Sequence, residues 1–250
     1  MEIIAIINQK GGVGKSTTAL ALGAGLTLRG YRVLFVDLDA QGNLTYALGA
    51  ESRGVTVMEL LQQVNRPEEA IQQMNSGDLI ASSPALSGAD ALIVATGKEY
   101  RLKEALEPLR GLYDYCILDT PPALGILTVN ALTACKGAII PAQADIFSLQ
   151  AIGNLSDTIE AVRRYCNPEL YIMGIVLTRY AARTIISREV ADVMEKVATG
   201  LNTKLYHTKI REATALKESQ ATRMSIFEHA PRSNASADYN DLIDEIIGGN

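Results

Sequence analysis

Apolar residues along this chain gather into short runs without alternation. Ile3-Ile4-Ala5-Ile6-Ile7, Val33-Leu34-Phe35-Val36, Cys116-Ile117-Leu118, Gly137-Ala138-Ile139-Ile140 and Gly174-Ile175-Val176-Leu177 each fit a strand covered on both faces. Helical stretches lie between them. Ala19 to Leu28 is rich in Ala and Leu and stops at Arg29-Gly30. Tyr100 to Leu109 puts Leu102, Leu106 and Leu109 on one face, with Lys103, Glu104 and Glu107 opposite. A long helix is expected from about Phe147 to Tyr165, another from Ser187 to Ala198, and a last one ending at Ile247. A spacing of roughly thirty residues between the first two strands suits a βαβ crossover. The predicted fold is α/β: a doubly wound, mostly parallel sheet with helices on both faces, in one domain over residues 1–250 without an N-terminal helix-turn-helix unit.

The segment from Thr45 to Ala95 is less regular. Thr56 followed by Glu59 forms a capping box, Asp78 to Ser83 reads as a strand, and Pro84 to Asp90 as a loop. Lys204 to His207 is expected to be a short strand, and Ile210 to Glu218 a loop with a helical turn.

Chemistry concentrates where the first run ends, at Asn8-Gln9-Lys10-Gly11-Gly12-Val13-Gly14-Lys15-Ser16-Thr17-Thr18. Glycines at three of four positions let backbone N–H groups crowd around phosphate oxygens, and the following helix adds the partial positive charge of its N-terminus. Lys15 would reach the β- and γ-phosphates and Ser16 would sit on Mg²⁺. The usual spacing is not met, because Gln9 stands where the first glycine belongs, and a second lysine, Lys10, precedes the glycine pair. Two later strands end in acids, Asp37-Leu38-Asp39-Ala40-Gln41-Gly42-Asn43 and Asp119-Thr120-Pro121-Pro122. Ligands of doubly wound sheets sit at the carboxyl ends of strands, so these carboxylates are expected to face the phosphates.

Lys-Gly-Gly-Val-Gly-Lys-Ser resembles the deviant Walker A loop of the ParA/Soj partition ATPases and their relative MinD. The two acidic stretches resemble that class's switch I and switch II, and weaker similarity covers nearly the whole chain. The resemblance implies an ATPase of slow turnover that takes ATP and Mg²⁺. Its nucleotide-binding residues would be Lys10, Gly11, Gly12, Val13, Gly14, Lys15, Ser16 and Thr17, with Thr178 and Arg179 beside the adenine. Lys10 would cross a dimer interface to the partner's nucleotide. Asp39 would position the attacking water, and Ser16, Asp39 and Asp119 would form the metal set, Asp119 acting through water. Lys10, Lys15 and Asp39 would carry catalysis.

The charge pattern adds a surface. The net charge is −5, yet Arg179 to Arg232 holds ten Lys/Arg against six Asp/Glu, while the remainder holds thirteen against twenty-two. By resemblance, the ATP-bound homodimer would bind nonspecific double-stranded DNA through residues such as Arg183, Arg188, Lys209, Arg211, Lys217 and Arg223. A ParB-like centromere-binding protein would stimulate hydrolysis and release it.

Three other readings meet obstacles. A MinD-like regulator acting on a membrane or on protein cargo is the main alternative, but Asp238 to Asn250 carries four acids and no Lys or Arg. An iron–sulfur reductase needs cysteines beside switch II, and Asp119 to Gly125 has none. A tyrosine kinase needs a C-terminal tyrosine cluster, and only Tyr239 lies there. The first residues are a strand rather than a secretion signal, and no apolar run is long enough to span a bilayer, so a cytoplasmic protein is expected, and the resemblance implies that it is nucleoid-associated. Cys116, Cys135 and Cys166 lack metal or disulfide spacing and read as reduced thiols; His207 and His229 read as structural.

Overall fold

A computed structural model describes residues 1–248. The chain begins β1 (Glu2–Ile6), α1 (Lys15–Leu28), β2 (Val33–Asp37), α2 (Asn43–Ala47) and α3 (Val57–Leu61). It continues through β3 (Ile71–Gln72), β4 (Asp78–Ile80), α4 (Ala89–Leu92), α5 (Arg101–Leu106), β5 (Tyr115–Asp119) and α6 (Ile126–Ala134). Then come β6 (Gly137–Gln143), α7 (Ile146–Tyr165), β7 (Tyr171–Thr178), α8 (Ile185–Gly200), α9 (Thr214–Ala221), α10 (Ile226–His229) and α11 (Asn234–Ile247).

The strands form one seven-stranded sheet in the order β3-β4-β2-β5-β1-β6-β7, parallel except for β3 at the edge. Its strands carry apolar residues on both faces because both faces are covered. Ile4 and Ile6 of β1 pack with α1, α10 and α11, whereas Ile3, Ala5 and Ile7 pack with α3, α5, α6, α7 and α8. The expected doubly wound sheet is therefore present.

The small residues of α1 follow from where it lies. A Cβ on Gly23 would come 2.2 Å from the Phe35 ring of β2, and one on Gly25 would come 2.2 Å from Ile243 of α11. The helix is thus pressed between sheet and C-terminal helix, where an added methyl costs roughly 1–3 kcal/mol. The apolar side of α11, including Tyr239, Leu242, Ile243 and Ile246, is spent on this contact. Gly249 and Asn250 lie outside the described residues. Among the described residues no helix is long and apolar enough to cross a bilayer.

Three local expectations differ from what forms. Pro84–Gly88 is a 3₁₀ helix rather than a loop, because Ser83 accepts the Ala85 N–H and Pro84 needs no donor there. Residues 204–207 form a single bridge to β7 at Leu205, opposite Ile175, with the Lys204 carbonyl accepting the Ile175 N–H and the Tyr206 N–H donating to the Ile175 carbonyl, both at 2.9 Å. Tyr206 instead fills the space over Gly174, and the N–H groups of His207 and Thr208 turn to Glu245. The helix expected within 210–218 runs from Thr214 to Ala221. The Thr56 cap forms as read: Thr56 accepts the Met58 N–H, and its own N–H donates to Glu59 at 2.8 Å. Cys116 and Cys135 are buried and Cys166 half-buried, all as free thiols.

Candidate nucleotide site

Sheet register brings the acids together. Ile6 pairs with Asp119, and Asp119 pairs with Asp37, so β1, β2 and β5 end side by side. The loop Asn8–Gly14 leaves β1 at that edge and is held by groups distant in sequence. Asn8 donates to the Pro141 carbonyl at 2.7 Å and accepts the Lys10 N–H at 2.9 Å. The Gly12 carbonyl accepts from Gln143 at 3.2 Å, the Val13 carbonyl from the Thr178 hydroxyl at 2.8 Å, and the Lys10 carbonyl from Lys15 Nζ at 3.3 Å. With these carbonyls occupied, the N–H edge is left for an anion. Gly12 and Gly14 adopt φ of 75° and 86°, which side-chain-bearing residues rarely take. Gly14 also begins α1 with no side-chain cap, so the first N–H groups of that helix stay free.

A cavity of about 560 Å³ opens there, lined by Gly11, Gly12, Gly14, Lys15, Ser16, Thr17, Asp39, Arg179 and Gln220, among others. A smaller cavity shares Gly14, Thr17, Arg179 and Gln220 with it and adds Thr178, Ile210, Ala213, Leu216 and Tyr239. A glycine-walled chamber thus adjoins a second one, in which these apolar side chains are joined by Arg211, Glu212 and Lys217.

Charge inside is strongly biased. Lys15 is only 7% exposed; burial lowers its pKa, and nearby Asp119 and Asp39 offset part of that. Burial pushes the Asp119 carboxyl well above the usual carboxylate range; Asp37 adds to the rise, and the Ser16 hydroxyl and Lys15 ammonium counter it. Neither oxygen of Asp119 has a hydrogen-bond partner of ordinary geometry. A fully buried carboxylate without a partner is costly unless a cation compensates it. Ser16, Asp119 and an adjoining phosphate cradle are the kind of set that Mg²⁺ accepts, since it keeps waters and takes few protein ligands. Consistently, no group of three or more His, Cys, Asp or Glu among the described residues could hold a metal alone.

Asp37 does not face the phosphates as expected. Its carboxylate accepts the Asp39 N–H at 3.1 Å, the Thr45 N–H at 2.8 Å and the Thr45 hydroxyl at 2.7 Å. Burial nonetheless raises its pKa to about 6. Asp39 does line the cavity, with one oxygen accepting the Gln41 N–H at 3.0 Å.

Lys10 stands apart. It does not line the cavity; its ammonium sits 2.5 Å from Asp145 Oδ2 and 3.4 Å from both Gln143 and Ser148, near the exposed Phe147 ring. Burial would raise the Asp145 carboxyl, but Lys10 and the Ser148 N–H outweigh it and hold it below its ordinary range.

The basic residues fall into two groups. Arg183 and Arg188 are exposed around the start of α8, beside the exposed Ile185 and Ile186. Lys209, Arg211, Lys217 and Arg223 follow the segment next to the nucleotide cavity, each with a neighbour. Lys209 lies over the Tyr180 ring, Arg211 grips Asp238 at 2.6 Å, Lys217 is 3.6 Å from Glu212, and Arg223 stacks on Tyr46 at 4.6 Å. Gln220, unremarked in the sequence, donates to the Thr17 hydroxyl at 2.8 Å and ties α9 to the phosphate loop. Gln143 and Gln220 are not legible as site residues, because they meet the loop across 131 and 203 positions of sequence.

Fold and site define a P-loop nucleoside triphosphatase with two lysines in its loop. A family model described as an AAA domain matches residues 1–172. The sporulation initiation inhibitor protein Soj of Bacillus subtilis is 40% identical over 250 residues, covering 98% of this chain and 98% of that protein. The chromosome partitioning protein ParA of Caulobacter vibrioides is 36% identical over 254 residues, covering 99% and 94%. A Mycobacterium smegmatis crystal structure described as cobyrinic acid a,c-diamide synthase, with bound ATP analogue and magnesium, matches with a TM-score of 0.85 at 34% identity over 99% and 94% of the two chains. The chain belongs to the Soj/ParA family of P-loop ATPases.

Proposed function

We propose that this protein is a Mg²⁺-dependent DNA-partition ATPase. Its ATP-bound form is a dimer that holds DNA without regard to sequence, and hydrolysis, stimulated by a ParB-like centromere-binding protein, resets it. The observation that carries this reading is the separation of the two lysines: Lys15 lines the chain's own cavity, whereas Lys10 lies outside it. A cation at the rim can serve a nucleotide held by a second copy.

The residues of the site then divide the work. Backbone N–H groups of Gly11, Gly12, Val13, Gly14 and Lys15 cradle phosphate oxygens, Thr17 contributes from the helix start, and Thr178 and Arg179 wall the base. Lys15 and the partner's Lys10 stabilise charge gathering on the terminal phosphoryl oxygens. Ser16 and Asp119 would hold Mg²⁺, which when bound would neutralise phosphate charge. Asp39 orients water for attack and completes the metal set. Lys10 leaves Asp145 as the dimer closes. Arg183, Arg188, Lys209, Arg211, Lys217 and Arg223 supply phosphate contacts to DNA, doubled by dimerisation, and such contacts weaken steeply with salt. The expected slow turnover makes hydrolysis a timer.

The test is DNA binding by wild type and Lys10→Ala with ATP, ADP and no nucleotide. Tight binding is expected only for wild type with ATP. Equal binding in all three states contradicts the proposal.

A further inference from the structure

A closed ring of buried hydrogen bonds begins and ends at Asp39. The Asp39 N–H donates to Asp37, Asp37 accepts both the N–H and hydroxyl of Thr45, and the Thr45 hydroxyl accepts the Ser82 N–H at 3.0 Å. Ser82 Oγ then donates to the Asp39 carbonyl at 2.5 Å, closing the ring. Asp37 and Ser82 are fully buried and Thr45 is nearly so. Ser82 follows β4, which pairs with β2, so the turn carrying Asp39 is fastened from the neighbouring strand as well as from its own.

This is more than a loop needs to stay folded. The Asp39 carbonyl already accepts the Gly42 N–H at 2.8 Å, which closes the turn without Ser82. What Ser82 and Thr45 add is a fixed main chain on both sides of one Cα, and hence a fixed origin for the carboxylate in the cavity wall. A group that orients water acts through distance and angle, and small misplacements cost rate more than binding.

We propose that Ser82 and Thr45 are positioning residues for ATP hydrolysis, acting through the main chain of Asp39. The inference rests on the reading that Asp39 serves the attacking water. Neither side chain lines the cavity, so neither is expected to touch nucleotide.

Steady-state hydrolysis and ATP affinity, from titration of a fluorescent ATP analogue, are measured on wild type, Ser82→Ala, Thr45→Val, Thr45→Ser and Asp39→Ala. Thermal melting of each reports the folded fraction. Ser82→Ala and Thr45→Val are expected to lower kcat about tenfold per folded site with KM and analogue affinity nearly unchanged. Thr45→Ser, which keeps the hydroxyl, is expected to stay near wild type. Should Thr45→Val fold poorly, Ser82→Ala and Thr45→Ser still decide. Wild-type kcat in Ser82→Ala overturns the inference, as does a loss of affinity or folding with kcat per folded site intact. If Asp39→Ala itself hydrolyses normally, the reading beneath it fails instead; if Asp39→Ala is inactive while Ser82→Ala is normal, only the positioning role fails.

Discussion

Lys15 and Lys10 stand five positions apart in one loop, yet Lys15 is 7% exposed in the field of Asp119 and Asp39, while Lys10 keeps 23% of its side chain exposed in an ion pair with Asp145. The same contrast separates the floor of the site from its rim. On the floor, carbonyls and carboxylates are held by partners from β2, β6 and β7 and by Ser82 just past β4. At the rim, Lys10, Lys217 and Arg223 rest on Asp145, Glu212 and Tyr46 through partly exposed contacts. Exposed ion pairs are worth about 0–1 kcal/mol, so they exchange readily for a stronger anion. The floor is fixed by buried contacts, and the rim is held by contacts that cost little to exchange.

Lys15→Ala puts the largest strain on this comparison. It removes the buried cation from the floor and is expected to cut hydrolysis by about two to three orders of magnitude, with weakened ATP binding visible by titration. A rim substitution of equal effect on ATP affinity would erase the distinction between the two regions.

The double change Arg183→Glu with Arg188→Glu probes the far rim. DNA affinity of the dimer is expected to fall at least about tenfold, and the slope of log affinity against log salt by about four, two contacts from each protomer, with hydrolysis in the absence of DNA unchanged. An unaltered salt slope would move the DNA surface to Lys209 through Arg223, beside the nucleotide.

The smallest effect sharpens the comparison from outside the site. Arg32 donates to Asp114 at 2.8 Å, and that hydrogen bond holds the Asp114 carboxyl down at about 2. A depressed carboxylate stabilises the fold above its unfolded pKa of about 4, and the contribution disappears as pH falls through the folded value. Arg32→Ala should therefore lower the urea midpoint slightly at pH 7, with the difference from wild type vanishing as the pH approaches 2. ATP affinity should not move.

What the sequence made legible was whatever is local. The strand, the glycine loop and the uncapped helix start lie within residues 3–28, and Asp39 and Asp119 close apolar runs, so each could be read without its neighbours in space. Ser82, Thr45, Gln143 and Gln220 act across sheet and helix contacts and carry no local signature. Asp37 ends a strand and so is expected to face phosphate, and only the position of Thr45 shows otherwise. Arg211 looked like any basic surface residue, yet its guanidinium grips Asp238, 27 positions away. Asp145 was within reach, since Asp followed three residues later by Ser before a helix is a capping pattern, and the Ser148 N–H does donate to it at 2.8 Å.

The central claim is that the rim lysine acts on a second copy of the chain. Sedimentation of Asp39→Ala, with and without the added change Lys10→Ala, in saturating ATP and Mg²⁺ tests it most directly. A dimer is expected for Asp39→Ala and a monomer for the double variant, both binding ATP. A monomer in the first case, or a dimer in both, contradicts it.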